Sequence, residues 1–508
     1  MSEKNPVIRL NEKDNVVVAR IDLPKGTRIG INNIVTVTEI PSGHKIAVSD
    51  IPENGAVFKY GTEIAQASKA IRPGEHVHKH NVHTEEAEKD YAPCSEYEET
   101  RLVPKEQRPT FNGFVRPNGK VGTRNYIGIF TTVLCSAPVV HKICAHFTPE
   151  VMKRWPNVDG VVPFITETGC GMEQSGPPMD ILRRCTGNYI KHPNIGGALI
   201  VGLGCERNNI DAFMEREGIS ETDRIKRLVI QEHRGSKQSI ADGIDTVKQF
   251  MELANQDVRR PASVEHLTVA LQCGGSDGFS GVSSNPALGL AMDKLIKNGG
   301  SCVLAESTEI FGGETVLTKR AATPELAQKV IDIMEWWRQY SVGAAVQFTG
   351  STVPGNLKGG LTSTAEKALG VVRKAGNTGM VDVVDYGFPV TKPGFTYMDT
   401  PARDSVSVTG EISGGCNLVA FTTGRGTCLA TYPAPTMKFC SNTPAFNNMI
   451  DDLDFNCGTI VDGEKTLNEV GEEMFDYIVR VASGEKPKGE AMGYGADEFH
   501  PWQFGIIS

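Results

Sequence analysis

The chain of 508 residues has no apolar run near the roughly 18 to 20 residues needed to span a bilayer, so no membrane passage is expected. Its first residues, Met1 to Asn11, are polar and lack the apolar stretch of a secretory leader. A basic stripe is missing too: the net charge is −9, which argues against nucleic acid as a partner. Twelve cysteines in so long a chain are too sparse for a disulfide scaffold, and none form a Cys-x-x-Cys pair, so a structural zinc site is not supported. Reduced thiols and a cytoplasmic location are expected. Charged residues at 22% and hydrophobic ones at 39% exclude a disordered chain. What is plentiful is glycine, 54 residues, as in proteins whose loops bring backbone close to a ligand.

Residues 1–88 read as a small β-rich domain. Strand-like runs at Val16–Ile21, Ile34–Ile40, Ile46–Val48 and Ala56–Tyr60 are separated by turn residues such as Ser42-Gly43 and Pro73-Gly74. It holds five of the eleven histidines: His44, His76, His78, His80 and His83. Residues 89–110, acidic and then mixed in charge with prolines, read as a linker that tethers without fixing. Beyond it strands and helices alternate, which predicts a large α/β region with mainly parallel sheets. Two domains are expected there, 111–350 and 351–508.

Ligands of open α/β sheets bind at the carboxyl ends of strands. Four strands place a cysteine there: Cys135, Cys170, Cys205 and Cys273. Thiolates suit iron or zinc, so a shared metal site is one reading and inert buried cysteines the other. The loop Gly274-Gly275-Ser276-Asp277 offers N–H groups and a hydroxyl to a carboxylate or sugar, with Asp277 as a ligand or a turn cap. Lys358, beside Asn356 in 354–360, and Arg425 in 422–427 each set a cation among small residues, suited to a carboxylate or to an ordinary surface turn. His76, His78 and His80 alternate, which on an extended strand puts them on one face. With His44 they could bind a divalent ion or move protons, or form a plain surface cluster.

These segments together resemble the altronate/galactarate dehydratase family over nearly the whole length. They are Gly43-His44-Lys45, Lys59-Tyr60-Gly61, the stretch from Gly74 to Asn81, Asn118 to Asn125, Gly202 to Glu206, Cys273 to Gly281, Pro354 to Gly360, Glu366 to Gly370 and Thr422 to Thr427. The resemblance implies an N-terminal SAF (β-clip) domain and a catalytic region that eliminates water, or in some relatives sulfite, from 2-hydroxy acids. It implies Fe(II) or another divalent metal such as manganese; the rival within the enzyme class is an iron–sulfur hydro-lyase with a cluster on Cys135, Cys170 and Cys205. The His-rich segment favours an aldonate such as D-altronate over an aldarate such as galactarate. A non-catalytic sugar-acid-binding module is the reading from another class. His44, His76 and His78 are expected to act at the site, Arg425 and Lys358 to hold the carboxylate, and a homodimer is the expected assembly.

Overall fold

The computed structural model describes residues 5–84, 90–341 and 352–503. The small domain is built from two antiparallel sheets. One joins Val7–Ile8, Val16–Ala19, Lys45–Ala47 and His76–Val77; the other joins Ala56–Lys59, Thr62–Ala67 and Val82–His83. Its chain crossings are tight. Gly74 has φ +87, and a Cβ there would lie 2.1 Å from the Val35 carbonyl oxygen, so only glycine fits. The expected strand at Ile34–Ile40 does not form. That run bonds piecewise, Leu23 bridging Ile40 and Arg28 bridging Val35, while Val37 N–H donates to Gly74 O.

The first half of the large region carries a four-stranded parallel sheet in the order Gly160–Phe164, Tyr126–Thr131, Ile195–Gly202, Ile225–Val229. The two central strands are wholly buried, as strands covered on both faces must be. Ile127 and Ile129 pack with Val140, Ile143, Val247 and Phe250 on one face, while Phe130 and Ile200 join the main core on the other. The period of two along each strand divides these side chains between the faces.

The main core lies in a seven-stranded parallel sheet. Its order is Met380–Val384, Phe395–Met398, Ser301–Leu304, Thr268–Gly274, Leu418–Thr423, Thr436–Cys440, Phe455–Asn456. Thr268–Gly274 continues to a neighbour on one side, and later strands are laid down on the other. The gap between it and Leu418–Thr423 is therefore the topological switch point, where such sheets open a crevice. The division expected at 350/351 lies outside the described residues, and strands of this one sheet flank it. The break between the two parallel sheets falls instead after the helix Ser236–Ala254. A later helix, Leu467–Ala482, is capped by Thr466 and Glu469 and buries Val470, Met474, Ile478 and Val481 at helical spacing. No helix among the described residues is long and apolar enough to cross a membrane.

The small domain is locked onto the helix Thr364–Val371 of the large region. Lys45 and Lys59 both reach Glu366, at 2.9 and 2.7 Å, and all three side chains are buried. Burial alone would raise the Glu366 carboxyl, but the two ammonium groups outweigh it and hold it far below the usual range. The linker is fixed too, contrary to the loose tether expected. Cys94 and Glu96 N–H donate to the carbonyls of Thr318 and Lys319, and Val103 N–H to Lys297 O. Its first residue, 89, and the 88/89 division lie outside the described residues.

Candidate functional site

Three glycine-rich loops meet at the switch point. Gly278 N–H donates to Gly359 O at 2.7 Å, Gly424 N–H to Gly275 O at 3.2 Å, and Arg425 Nη1 to Gly355 O at 3.3 Å. The structure thus gathers Gly274, Gly275, Ser276, Asp277, Asn356, Lys358 and Arg425. Two of them are fasteners. Asn356 is buried and donates to Ser276 O at 2.8 Å. The Asp277 carboxylate accepts from Ser280 N–H, Ser280 Oγ and Ser441 Oγ, each at 2.8 Å, and from Asn442 Nδ2 at 3.0 Å. A carboxylate so occupied acts as the turn cap, and its work is to tie strand-end loops together. Gly275, Lys358 and Arg425 stay exposed on the rim.

The small domain sets its histidines on the same loops. His44 Nε2 contacts Lys358 O at 3.1 Å, and His78 Nε2 contacts Leu357 O at 3.0 Å. A carbonyl only accepts, so both Nε2 atoms carry hydrogen. His44 Nδ1 must then accept from His76 Nε2, 2.9 Å away, and His78 Nδ1 accepts from Lys79 N–H at 2.7 Å. Among the described residues, this assignment leaves His76 Nδ1 as the lone pair of the trio not used by a protein donor. Burial pushes His44 down to about 4, against the Lys358 carbonyl; burial and the neighbouring imidazoles push His76 down to about 3. All are neutral near pH 7. The expected extended strand through His80 is replaced by a turn after Val77: Asn81 Oδ1 accepts from His78 N–H, and its Nδ2 donates to His76 O. The turn still stacks the rings, with centroids 5.0 to 5.4 Å apart.

Beneath the rim lies a charge cluster. The Cys273 thiol sits 3.5 Å from both Glu306 and Glu309; Lys374 bonds Glu306 at 3.0 Å and Lys367 bonds Glu309 at 2.8 Å. Ligand atoms of Cys273, Glu306 and Glu309 lie within 4.8 Å of one another, a buried triad that could hold a metal ion. Two ammonium groups already neutralise its carboxylates, however, and would oppose a dication. Burial and the adjacent Glu306 raise the Cys273 thiol far above its ordinary value, so it stands as a thiol, unlike the thiolate expected of a ligand. Glu306 adopts the left-handed backbone, φ +67, rare for its type, and its buried Oε1 has no partner among the described residues. Asp404 begins the helix Asp404–Ser413, and a Cβ on Gly274 would meet its Oδ2 at 2.8 Å. Burial, then the Glu306 and Glu309 charges, raise Asp404 to about 7; burial raises Glu306 to about 7 against Lys374.

The site expected from four strand-end cysteines is divided. Cys135, Cys170 and Cys205 lie exposed at the edge of the four-stranded sheet, whereas Cys273 belongs to the other sheet and is buried. Glu309, Lys367, Lys374 and Asp404 are not among the residues the sequence singled out. A signal was there: Glu306 and Glu309 at a strand end are three apart, and Lys367 and Lys374 are seven apart, each spacing shared by one helix face.

A small β-rich domain docked on parallel sheets, with buried titratable groups at their carboxyl edge, defines a mixed α/β protein. Family models agree along the chain. The altronate/galactarate dehydratase SAF domain matches residues 5–85, the second domain of D-galactarate dehydratase/altronate hydrolase matches 113–255, and the C-terminal D-galactarate/altronate dehydratase domain matches 264–507. The chain is 35% identical to altronate dehydratase of Bacillus subtilis over 482 residues, 94% of this chain and 95% of that protein. It is 34% identical to altronate dehydratase of Escherichia coli over 489 residues, covering 95% and 96% of the two chains. Against galactarate dehydratase (L-threo-forming) of Escherichia coli it is 35% identical over 491 residues, covering 94% and 93%. The chain belongs to the altronate/galactarate dehydratase family and is a hydro-lyase.

Proposed function

We propose that the enzyme removes water from a six-carbon aldonate such as D-altronate, giving a 2-keto-3-deoxy acid. The observation that carries this reading is the flanking of Gly274-Gly275 by two groups of opposite task. Asp404 adjoins Gly274, and a Cβ on Gly275 would meet Arg425 Cβ at 3.4 Å. Arg425, with Lys358, binds the substrate carboxylate, for which a guanidinium fork is suited. Asp404, held near neutrality, takes the C2 proton. The electron pair of the C2–H bond becomes the C2–C3 double bond, and the C3–O bond breaks. The departing hydroxyl receives a proton and leaves as water, and the enol then tautomerises to the ketone. Glu306, also near neutrality and bonded to Lys374, passes the proton onward from Asp404 to the departing hydroxyl, so that water leaves with no net change in the protein's protons.

The neutral imidazoles fit a divalent cation better than the lysine-filled triad does, because their tautomers are fixed by carbonyl bonds and His76 Nδ1 is left to ligate. Iron or manganese, if held by His76 with His80 beside it, would act as a Lewis acid on the substrate carboxylate and 2-hydroxyl. All twelve cysteines are free thiols, four of them exposed, which suits the cytosol. Incubation with Fe(II) or Mn(II) and a panel of hexonates and hexarates, scored for 2-keto acid, tests the reading. D-altronate should be turned over faster than galactarate. Formation of no keto acid from any of them removes it.

A further inference from the structure

A cavity of about 360 Å³ opens where the small domain meets the large region, and none of its lining residues belongs to the rim or to the charge cluster. Tyr60 and Thr62 reach it from the small domain, beside the strands Ala56–Lys59 and Thr62–Ala67. The large region supplies Gly289 and Leu290 from the helix Ser284–Lys297, and Arg373 from the turn Val372–Ala375. A Cβ on Gly289 would strike the Arg373 carbonyl oxygen at 2.2 Å, so helix and turn come together backbone to backbone. The seam also borders the catalytic loop: a Cβ on Gly281 would meet Tyr60 Oη at 2.3 Å.

Two arginines line this space with donors that the protein does not use. Arg320, only 6% exposed, follows the helix Glu314–Lys319. It donates through Nε to Thr378 O at 3.1 Å and through Nη2 to Ala375 O at 3.3 Å, and its guanidinium lies 5.0 Å from the centre of the Phe395 ring. Its Nη1 has no acceptor among the described residues. The Arg373 guanidinium lies 4.7 Å from the centre of the Tyr60 ring and has no hydrogen bond or ion pair among the described residues. Nearby carboxylates are engaged elsewhere. Asp293 accepts from Asn377 N–H at 2.8 Å and Thr378 N–H at 3.0 Å, and Glu96 faces Lys319 at 3.6 Å. Guanidinium donors left over on a largely buried wall suit a carboxylate or a phosphate, which they bind with charge-assisted bonds. Leu290, Val316, Leu369 and Val372 make the rest of the wall apolar, and the volume is that of a small-molecule site.

We propose that this cavity binds a small organic anion, its carboxylate or phosphate held by Arg373 and by Nη1 of Arg320, its carbon body against Leu290 and Leu369. The site does not rest on the sugar-acid reading, and its test needs no turnover. Titration calorimetry of the full chain in zwitterionic buffer uses two three-carbon probes, pyruvate for a carboxylate and glycerol 3-phosphate for a phosphate. At least one should bind, one per chain, with Kd about 1 mM or tighter. Binding of one probe alone assigns the head group. Both parts of the molecule build the site, so the bound probe should also raise the melting temperature. Arg373→Gln breaks no hydrogen bond or ion pair with the described residues, so it should melt close to the parent without ligand. It should weaken binding at least about tenfold and remove the ligand-induced rise. Arg425→Gln, altered at the exposed rim, should bind as the parent does. Equal affinity in Arg373→Gln, loss of binding in Arg425→Gln instead, or no binding of either probe overturns the proposal.

Discussion

In the four-stranded sheet three strands end in cysteines open to solvent, while in the seven-stranded sheet the equivalent residue, Cys273, is sealed among two carboxylates and two lysines. All four lie near a carboxyl edge, Cys273 within its strand and the others in the loops beyond theirs, yet the chemistry differs. An exposed thiol is open to solvent and to a soft metal. A buried one beside Glu306 keeps its proton, because a thiolate there would be desolvated and repelled. The residue type at a strand end thus marks a site but does not assign its role; burial and neighbouring charge do. In the seven-stranded sheet two carboxylates and two lysines are buried together, and their mutual compensation keeps them tolerable inside the protein.

The largest effect expected from this contrast is on catalysis. Asp404→Asn should lower kcat by about 10²–10⁴ with a much smaller change in KM, measured by keto-acid formation. A loss of only a few-fold would shift proton abstraction away from the buried carboxylates. Next comes stability. Lys374→Met strands Glu306 as an uncompensated buried charge and should cost about 3–5 kcal/mol in urea unfolding, whereas Cys205→Ser on the open edge should cost under about 0.5 kcal/mol. Equal costs would erase the distinction between the two edges.

The pH response should separate them further. A base at about 7 makes the rate rise with pH through 7 and level off above it. Asp404 and Glu306 bind protons more tightly folded than unfolded, so their contribution to stability is full below the ordinary carboxyl values and lost as pH rises through 7. His44 and His76 behave oppositely. Lowered from 6.5 to about 4 and about 3, they favour the fold above 6.5, and that contribution disappears as pH falls through those values. An acid arm of the stability curve that is weakened in His44→Gln checks the second sign. The smallest change is a labelling pattern. Maleimide should modify Cys135, Cys170 and Cys205 in the native apoprotein and reach Cys273 only after unfolding, as peptide mapping would reveal.

Much of the framework was legible because its signals are local. Buried strands such as Ile195–Gly202 are continuous apolar runs, and the helix Leu467–Ala482 has its repeat and cap in adjacent residues. In the antiparallel strip of Thr110–Val115, Val121–Gly122 and Arg260–Ser263, the third strand was not legible, since its pairing with Thr110–Val115 joins segments far apart in the chain. The turn that replaces the expected strand at His78 depends on one side chain, Asn81, bonding backbone on both sides. Periodicity does not register such a bond.

By itself the sequence determined the two-part architecture, the carboxyl-edge loops, the histidine cluster and the four marked cysteines. Each follows from residue types within a few positions of one another. Only the tertiary structure decided that His44 and His78 rest on 357–358, that Lys45 and Lys59 share Glu366, and that Asp404 joins Glu306 beside Gly274. Those pairings are long-range, and electrostatic energies depend on distance and burial, which a linear order of residues does not contain.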